Sequence, residues 1–248
     1  MLKNYLIITA RCKSSRLPNK ILKNLNKDTK CIDVLIQRAK KVKLPIIIAT
    51  SKNKTDDKLC KYIKKQNYDV LIFRGSSKNK LLRWNNCFEK YNIQNSCFVD
   101  GDDIFFDYIL YKKLIKKIGI FDIISSHKSM VTGVFTHIIK IDAFKKMFKL
   151  FNKDIDSEMI EPFVKKAKLK RKIIKNEKIY HENEIRLTLD YKEDLKLMKF
   201  LLKKFKSTVS TKTILNYLKK NKHLREINYF REAFWKDNQS RKINKVKL

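Results

Sequence analysis

Tyr5-Leu6-Ile7-Ile8-Thr9 runs directly into Ala10-Arg11-Cys12-Lys13-Ser14-Ser15-Arg16-Leu17-Pro18-Asn19-Lys20. The first five residues form a short apolar, β-rich run of the kind that is buried on both faces. The eleven that follow hold four cations, Arg11, Lys13, Arg16 and Lys20, and the hydroxyls of Ser14 and Ser15. In a parallel α/β sheet, ligands bind beyond the carboxyl ends of the strands. Arg, Lys and backbone N–H groups placed there suit phosphate oxygens. The stretch contains no glycine, so it is neither a Walker loop nor a dinucleotide fingerprint. On its chemistry alone, a solvated basic turn explains it equally well.

Outward from this stretch, apolar runs alternate with helical patterns. Ile32, Leu35, Ile36 and Ala39 recur on one helix face. Pro45–Thr50 reads as a second buried strand. Thr55-Asp56-Asp57 offers an N-cap and an acidic first turn to a helix carrying Leu59, Tyr62 and Ile63. Asp69–Phe73 is a third strand, closed by Arg74-Gly75-Ser76. A helix over Lys80–Tyr91 and a strand at Ser96–Val99 follow, then a helix over Tyr108–Ile118 and a strand at Asp122–Ser125. Apolar strands separated by helices imply a parallel sheet with right-handed crossovers. The second half is less regular. It predicts strands at Val134–Ile141 and Glu184–Leu189, and helices over Ala143–Phe151, Ile155–Lys166, Tyr191–Phe205 and Thr211–Lys220. A frayed basic end is expected at Ser240–Leu248. With no repeat and no Gly/Pro-rich linker, one α/β domain is the economical reading.

Composition narrows the function classes. The 248 residues are 43% hydrophobic, enough for a full core. No apolar run approaches the roughly 20 residues that span a bilayer. The N-terminal run reads as a strand rather than a signal peptide, so a cytoplasmic location and no membrane partner are expected. Cys12, Cys31, Cys60, Cys87 and Cys97 are odd in number and form no C-x-x-C pair, which argues against a disulfide framework or zinc site. The net charge of +34 invites nucleic acid. Lys, however, far outnumbers Arg and is spread along the chain, whereas base readout favours Arg. The field attracts anionic substrates, and specific nucleic-acid binding is not expected.

The segment from Ala10 to Lys20 resembles the A-R-x-x-S-x-R-L-P-x-K signature of the cytidylyltransferase family. That family includes the enzymes that make CMP-activated 3-deoxy-octulosonate and sialic acids. The likeness is to the branch named for a spore-coat polysaccharide biosynthesis protein. It continues in order through Ile47-Ile48-Ala49-Thr50-Ser51, Phe73-Arg74-Gly75-Ser76, Val99-Asp100-Gly101-Asp102, Asp156–Phe163 and Arg186–Leu195. It therefore runs from about Leu6 to Phe205. The family usually carries glycine where Lys13 and Asn19 stand, proline at Ile104, His at Met159 and Thr at Glu161.

The resemblance implies a three-layer α/β/α fold with a mostly parallel, Rossmann-like sheet of the nucleotide-diphospho-sugar transferase type. Residues 1–225 would form the nucleotidyltransferase domain and 226–248 a basic, aromatic tail. It implies Mg²⁺-dependent transfer of CMP from CTP to a small sugar acid, with pyrophosphate released, in surface-glycan synthesis. A homodimer is compatible with the family. Nucleotide contacts fall to Ala10, Arg11, Ser14, Arg16, Lys20, Thr50, Ser51, Arg74, Gly75 and Ser76. The metal falls to Asp102 and Asp190, and the catalytic groups are Arg11, Lys20 and Asp102. Strand alternation independently lets Asp100 and Asp102 share a face beyond a buried strand, where Mg²⁺ suits clustered carboxylates and phosphates. The alternatives are a nucleotidyltransferase of other base or sugar preference, or a nucleotide-binding paralogue without transfer. His127, His137, His181 and His223 lack metal-ligand spacing, and Trp84 and Trp235 fit packing positions on helices.

Overall fold

The computed structural model describes residues 3–152, 157–175, 178–181 and 184–246. Its strands are β1 (Asn4–Thr9), β2 (Ile46–Ser51), β3 (Leu71–Gly75), β4 (Asn95–Asp100), β5 (Ile123–Ser126), β6 (His137–Lys140) and β7 (Arg171–Ile174). They form one seven-stranded sheet in the order β3-β2-β1-β4-β6-β5-β7. The block β3-β2-β1-β4 is wholly parallel, β6 runs antiparallel to both neighbours, and β5 and β7 pair parallel. The helices are α1 (Cys31–Lys40), α2 (Asp57–Lys65), α3 (Lys80–Tyr91), α4 (Tyr108–Leu114), α5 (Ile141–Phe148), α6 (Glu161–Lys166), α7 (Lys192–Lys204), α8 (Thr211–Lys220), α9 (Lys222–Arg225) and α10 (Arg231–Lys245). Among the described residues, none is long and apolar enough to cross a membrane.

Strand alternation creates the three layers. Leu6 and Ile8 of β1, with Ile46 and Ile48 of β2, face α1, α2, α4, α7 and α8. Ile7, Ile47 and Phe98 face the opposite way, against Trp84 and Phe88 of α3, Phe144 of α5 and Phe163 of α6. The mostly parallel three-layer sheet expected from the sequence is the one observed. All five cysteines are free and buried.

One buried cation ties α1 to the segment after β4 and to the start of α8 without a carboxylate partner. Arg38 on α1 donates to the carbonyl of Phe106 at 2.8 and 3.0 Å, to those of Ser207 and Val209 at 2.8 Å, and to the Thr211 hydroxyl at 2.7 Å. Burial pulls its pKa down to about 10.

The second half departs from the sequence expectations in five places. The strand expected over Val134–Ile141 shrinks to β6, and Val134 instead gives its carbonyl to the Asp107 N–H. Of the helix expected over Ile155–Lys166, only α6 forms, because Pro162 suits a first turn and starts it there; Ile155 and Asp156 lie outside the described residues. Glu184–Leu189 is not a strand. It makes a single bridge, Thr132↔Arg186, because its backbone N–H groups go to separate loop carbonyls, Leu187 to Thr132 and Leu189 to Asp102, each at 2.8 Å. β7 arises where the sequence, dense in Lys and Arg, gave no strand signal. The end expected to fray is helical as far as Lys245.

Candidate active site

Thr9 pairs with Asp100 across β1 and β4, so the basic loop after β1 and the acidic turn after β4 leave the sheet side by side. Gly101 permits this approach. A Cβ there would stand 2.9 Å from the Thr9 carbonyl oxygen and 3.1 Å from Ala10, and the Gly101 N–H donates to that oxygen at 2.9 Å. The loop is pinned from below. Cys12 N–H donates to Asp56 Oδ1 at 2.6 Å, and Asp56 also accepts from the Ser51 hydroxyl. Asn19 N–H closes the loop on the Cys12 carbonyl at 3.0 Å. Asn19 has φ of 56°, the left-handed region where Asn is the best tolerated substitute for glycine. Lys13 is not among the positive-φ residues, so its backbone makes no demand for glycine. Among the described residues, the N–H groups of Arg11, Lys13, Ser14, Ser15 and Arg16 have no acceptor.

Lys20 stands where loop and acids meet. Its Nζ donates to Asp102 Oδ2 and to Asp190 Oδ1, both at 2.8 Å. Burial works against this ammonium, but Asp102 and Asp190 outweigh it and raise its pKa. Asp190 is fully buried and also accepts from Arg16 at 2.6 Å and from Arg186 at 3.3 Å. Its burial opposes ionisation, yet Lys20 and Arg16 hold it down at about 2. Asp100 pairs with Lys80 at 3.0 Å. Asp103 accepts from the Thr136 hydroxyl at 3.2 Å, and burial together with Asp102 and Asp100 pushes its pKa well up. The carboxylates of Asp100, Asp102 and Asp103 offer oxygens within 4.8 Å of one another. Crowded hard oxygen donors of one sign fit a divalent cation such as Mg²⁺.

These groups border a cavity of about 1410 Å³. Ala10, Arg11, Ser14, Arg16, Lys20, Ser51 and Asp102 line it. Asp190 lies just behind Lys20. Thr50, Arg74, Gly75 and Ser76 are not in its wall. Thr50 is buried, and Arg74 folds back onto the carbonyls of Ser51 and Asn53, each at 3.0 Å, and onto Asp57 at 2.7 Å. Ser76 accepts from the Asn79 N–H at 3.1 Å and gives its carbonyl to Arg83 at 2.7 Å. Gly75 makes room for that arginine, since a Cβ there would lie 2.8 Å from Arg83 Cγ.

Arg83 is a cavity residue the sequence did not mark. It is 1% exposed, its Nε has no partner among the described residues, and burial lowers its pKa to about 10. In sequence it is one more cation on an amphipathic helix. His137 is likewise buried at the cavity, beside Trp84 and Phe98, and burial with nearby Lys80 drives its pKa to about 3, so it is neutral.

The far wall is held by a buried ionic cluster. Arg186 donates to Asp194 at 3.0 Å and to Glu232 at 2.8 Å, in addition to Asp190. Glu232 also accepts from the Thr132 hydroxyl at 2.7 Å, which docks α10 against the domain. Trp235, Gln239 and Lys242 of α10 line the cavity, with Lys242 on Glu158 at 3.1 Å. Glu232, Trp235, Gln239 and Lys242 recur at helical spacing, a signal that could have marked a helix face. Its cavity role has no local signature, because the partners Arg186, Thr132 and Glu158 are remote in the chain.

A cation-rich loop facing strand-end carboxylates, on a mostly parallel sheet, defines a nucleotidyltransferase of the nucleotide-diphospho-sugar transferase fold. The cytidylyltransferase family model matches residues 5–236, and the chain belongs to that family. A cytidylyltransferase structure from Leptospira borgpetersenii serovar Hardjo-bovis superposes with a TM-score of 0.80 at 22% identity, covering 90% of this chain and 97% of that one. A CMP:2-keto-3-deoxy-manno-octonic acid synthetase complexed with CTP gives 0.62 at 13% identity, covering 82% and 99%. Molybdopterin-guanine dinucleotide biosynthesis protein A from Archaeoglobus fulgidus gives 0.59 at 11%, covering 81% and 100%. These likenesses are of fold. No curated protein sequence matches.

Proposed function

We propose that the protein binds CTP in the loop Ala10–Lys20 and transfers CMP to a sugar acid with Mg²⁺ present, for surface-glycan synthesis. The observation that carries this reading is the meeting of Lys20 with Asp102 and Asp190 beside a loop whose N–H groups have no acceptor among the described residues. A sugar hydroxyl attacks the α-phosphorus in line, and pyrophosphate departs. The work of the protein is positioning and charge neutralisation. The loop N–H groups, Arg11 and Lys20 receive the triphosphate, and Arg16 fixes the loop through Asp190. The CTP-bound synthetase of the same fold supports the choice of nucleotide.

Asp102, with Asp100 and Asp103 beside it, would hold Mg²⁺; Asp190 lies outside that crowded group, joined to Asp102 through Lys20, and would be the second carboxylate once Lys20 turns to the phosphates. When bound, the ion supplies charge neutralisation at the phosphate oxygens and lowers the pKa of a coordinated hydroxyl. Lys20 faces a choice between these carboxylates and the phosphates, so nucleotide binding and carboxylate release are linked through one ammonium.

The test is pyrophosphate release from each of CTP, UTP, GTP and ATP against a panel of 2-keto-3-deoxy sugar acids and neutral sugars, with and without Mg²⁺. The expected result is turnover with CTP, a sugar acid and Mg²⁺. CTP binding without turnover on any sugar would make it a nucleotide-binding paralogue, and turnover with another nucleotide would overturn the base assignment.

A further inference from the structure

Helix α10 contributes more to the cavity than its place outside the sheet suggests. Glu232, Trp235, Gln239 and Lys242 recur at helical spacing on one face. The first is buried on Arg186 and Thr132, and the other three line the cavity. Lys242 joins this wall to Glu158. Burial opposes ionisation of Glu158, but Lys242, with Arg11 and Lys80 in range, lowers its pKa. The α10 wall is thus within electrostatic reach of the nucleotide loop.

Two groups on the wall lack partners among the described residues, the indole N–H of Trp235 and the amide of Gln239. The Trp235 ring is held from behind by the Arg186 guanidinium, 5.5 Å from its centroid. An indole combines a flat apolar body with a polar tip, which suits the apolar face and hydroxyl edge of a sugar ring. Lys236 and Lys242 lie on the same wall, paired with Glu232 and Glu158, and the strongly basic field of the chain as a whole favours an acid. The family match stops at Lys236, so Gln239 and Lys242 lie beyond what the family model matches.

We propose that α10 is the acceptor-selecting wall of this enzyme, with Trp235 as the platform for the ring of an anionic, hydroxylated sugar and Gln239 as the reader of its hydroxyls. The proposal rests on the cytidylyl-transfer reading and deepens it. Among the described residues no hydrogen bond or ring contact joins either residue to the nucleotide loop, so their replacement separates acceptor from CTP.

The experiment uses the full chain as wild type, Gln239→Ala and Trp235→Phe. Kinetics with varied sugar acid at saturating CTP give the acceptor KM, and calorimetry gives the CTP Kd. Gln239→Ala is expected to raise the acceptor KM about tenfold, the equivalent of one lost hydrogen bond. Trp235→Phe keeps a ring and is expected to raise it severalfold. Both leave the CTP Kd within about twofold. Unmoved acceptor KM values, or equal shifts in CTP Kd, overturn the proposal. Tryptophan fluorescence reads sugar binding without turnover, because the other tryptophan, Trp84, is 0% exposed in the core. Wild type that binds CTP but gives no fluorescence response to any sugar acid overturns the acceptor wall alone. Wild type that binds no CTP overturns the nucleotide reading.

Discussion

The side of the cavity built on β1–β4 and the side built on residues 104–246 are held in different ways. The first rests on four parallel strands in continuous register, from Leu6↔Ile46 to Thr9↔Asp100, with side chains alternating between two apolar layers. The second rests on four-residue strands, an antiparallel β6, and segments fixed by charge: Arg186 on three carboxylates, Arg171 on Glu161 at 2.6 Å, and Lys242 on Glu158. Apolar layering tolerates exchange of one side chain for another of similar volume. A buried ionic joint such as that of Arg186 does not, because losing one member leaves a buried charge unpaired. The phosphate-suited loop and Asp102 therefore sit on the apolar-layered side, and a few polar residues hold the other.

The sharpest way to break this contrast is Arg186→Met. It leaves Asp190, Asp194 and Glu232 short of a cation in the interior. Unfolding by urea should show a loss of about 3–5 kcal/mol. A loss under 1 kcal/mol would mean that the cluster is hydrated rather than structural.

Asp102→Asn tests the chemistry on the first side. It keeps shape and removes charge, so kcat should fall about a hundred- to a thousandfold while CTP binding changes little. Unaltered turnover would remove Asp102 from the mechanism.

Arg38→Met sharpens the comparison, since this arginine meets carbonyls and a hydroxyl rather than carboxylates. No anion is orphaned, and the expected cost is about 1–3 kcal/mol by denaturation, less than for Arg186. Equal costs would show that pairing with carboxylates is not what makes the Arg186 joint costly to break.

Gly75→Ala should crowd Arg83 and the Phe73 ring, both 2.8 Å from the new Cβ. A severalfold weaker CTP Kd with unchanged acceptor KM is expected, measured by calorimetry and steady-state kinetics.

The smallest effect at neutral pH concerns His137. Its folded pKa of about 3 lies below the ordinary value of 6.5, so the unfolded chain takes up the proton first. Its contribution is full above the unfolded value and is lost as pH falls from there toward about 3, by at most about 1.4 kcal/mol per pH unit. Imidazole NMR should show no His137 midpoint above pH 5; a midpoint near 6.5 would mean the ring is not sequestered.

Much of the first side was legible because its signals are local. β1 to β4 announce themselves as apolar runs, α1 as a periodic face, and the basic loop as cations after a buried strand. The second side misled for a physical reason. Glu184–Leu189 alternates like a strand, but Arg186 spends its side chain on ion pairs, while the backbone N–H groups of Leu187 and Leu189 go to the carbonyls of Thr132 and Asp102 at 2.8 Å. β7 was missed because Arg171 and Lys172 mask a strand whose place is set by pairing with β5.

By itself, the sequence determined a layered α/β domain and placed a phosphate-suited loop after its first strand, because burial period and residue chemistry act over a few positions. Only the tertiary structure decided that Lys20 joins Asp102, 82 residues away, to Asp190, 170 residues away. It also turned Arg83 into a buried cavity cation and an apparent tail into a wall of the site. Charge partners are chosen at hydrogen-bond distance in the folded chain, and no periodicity records that distance.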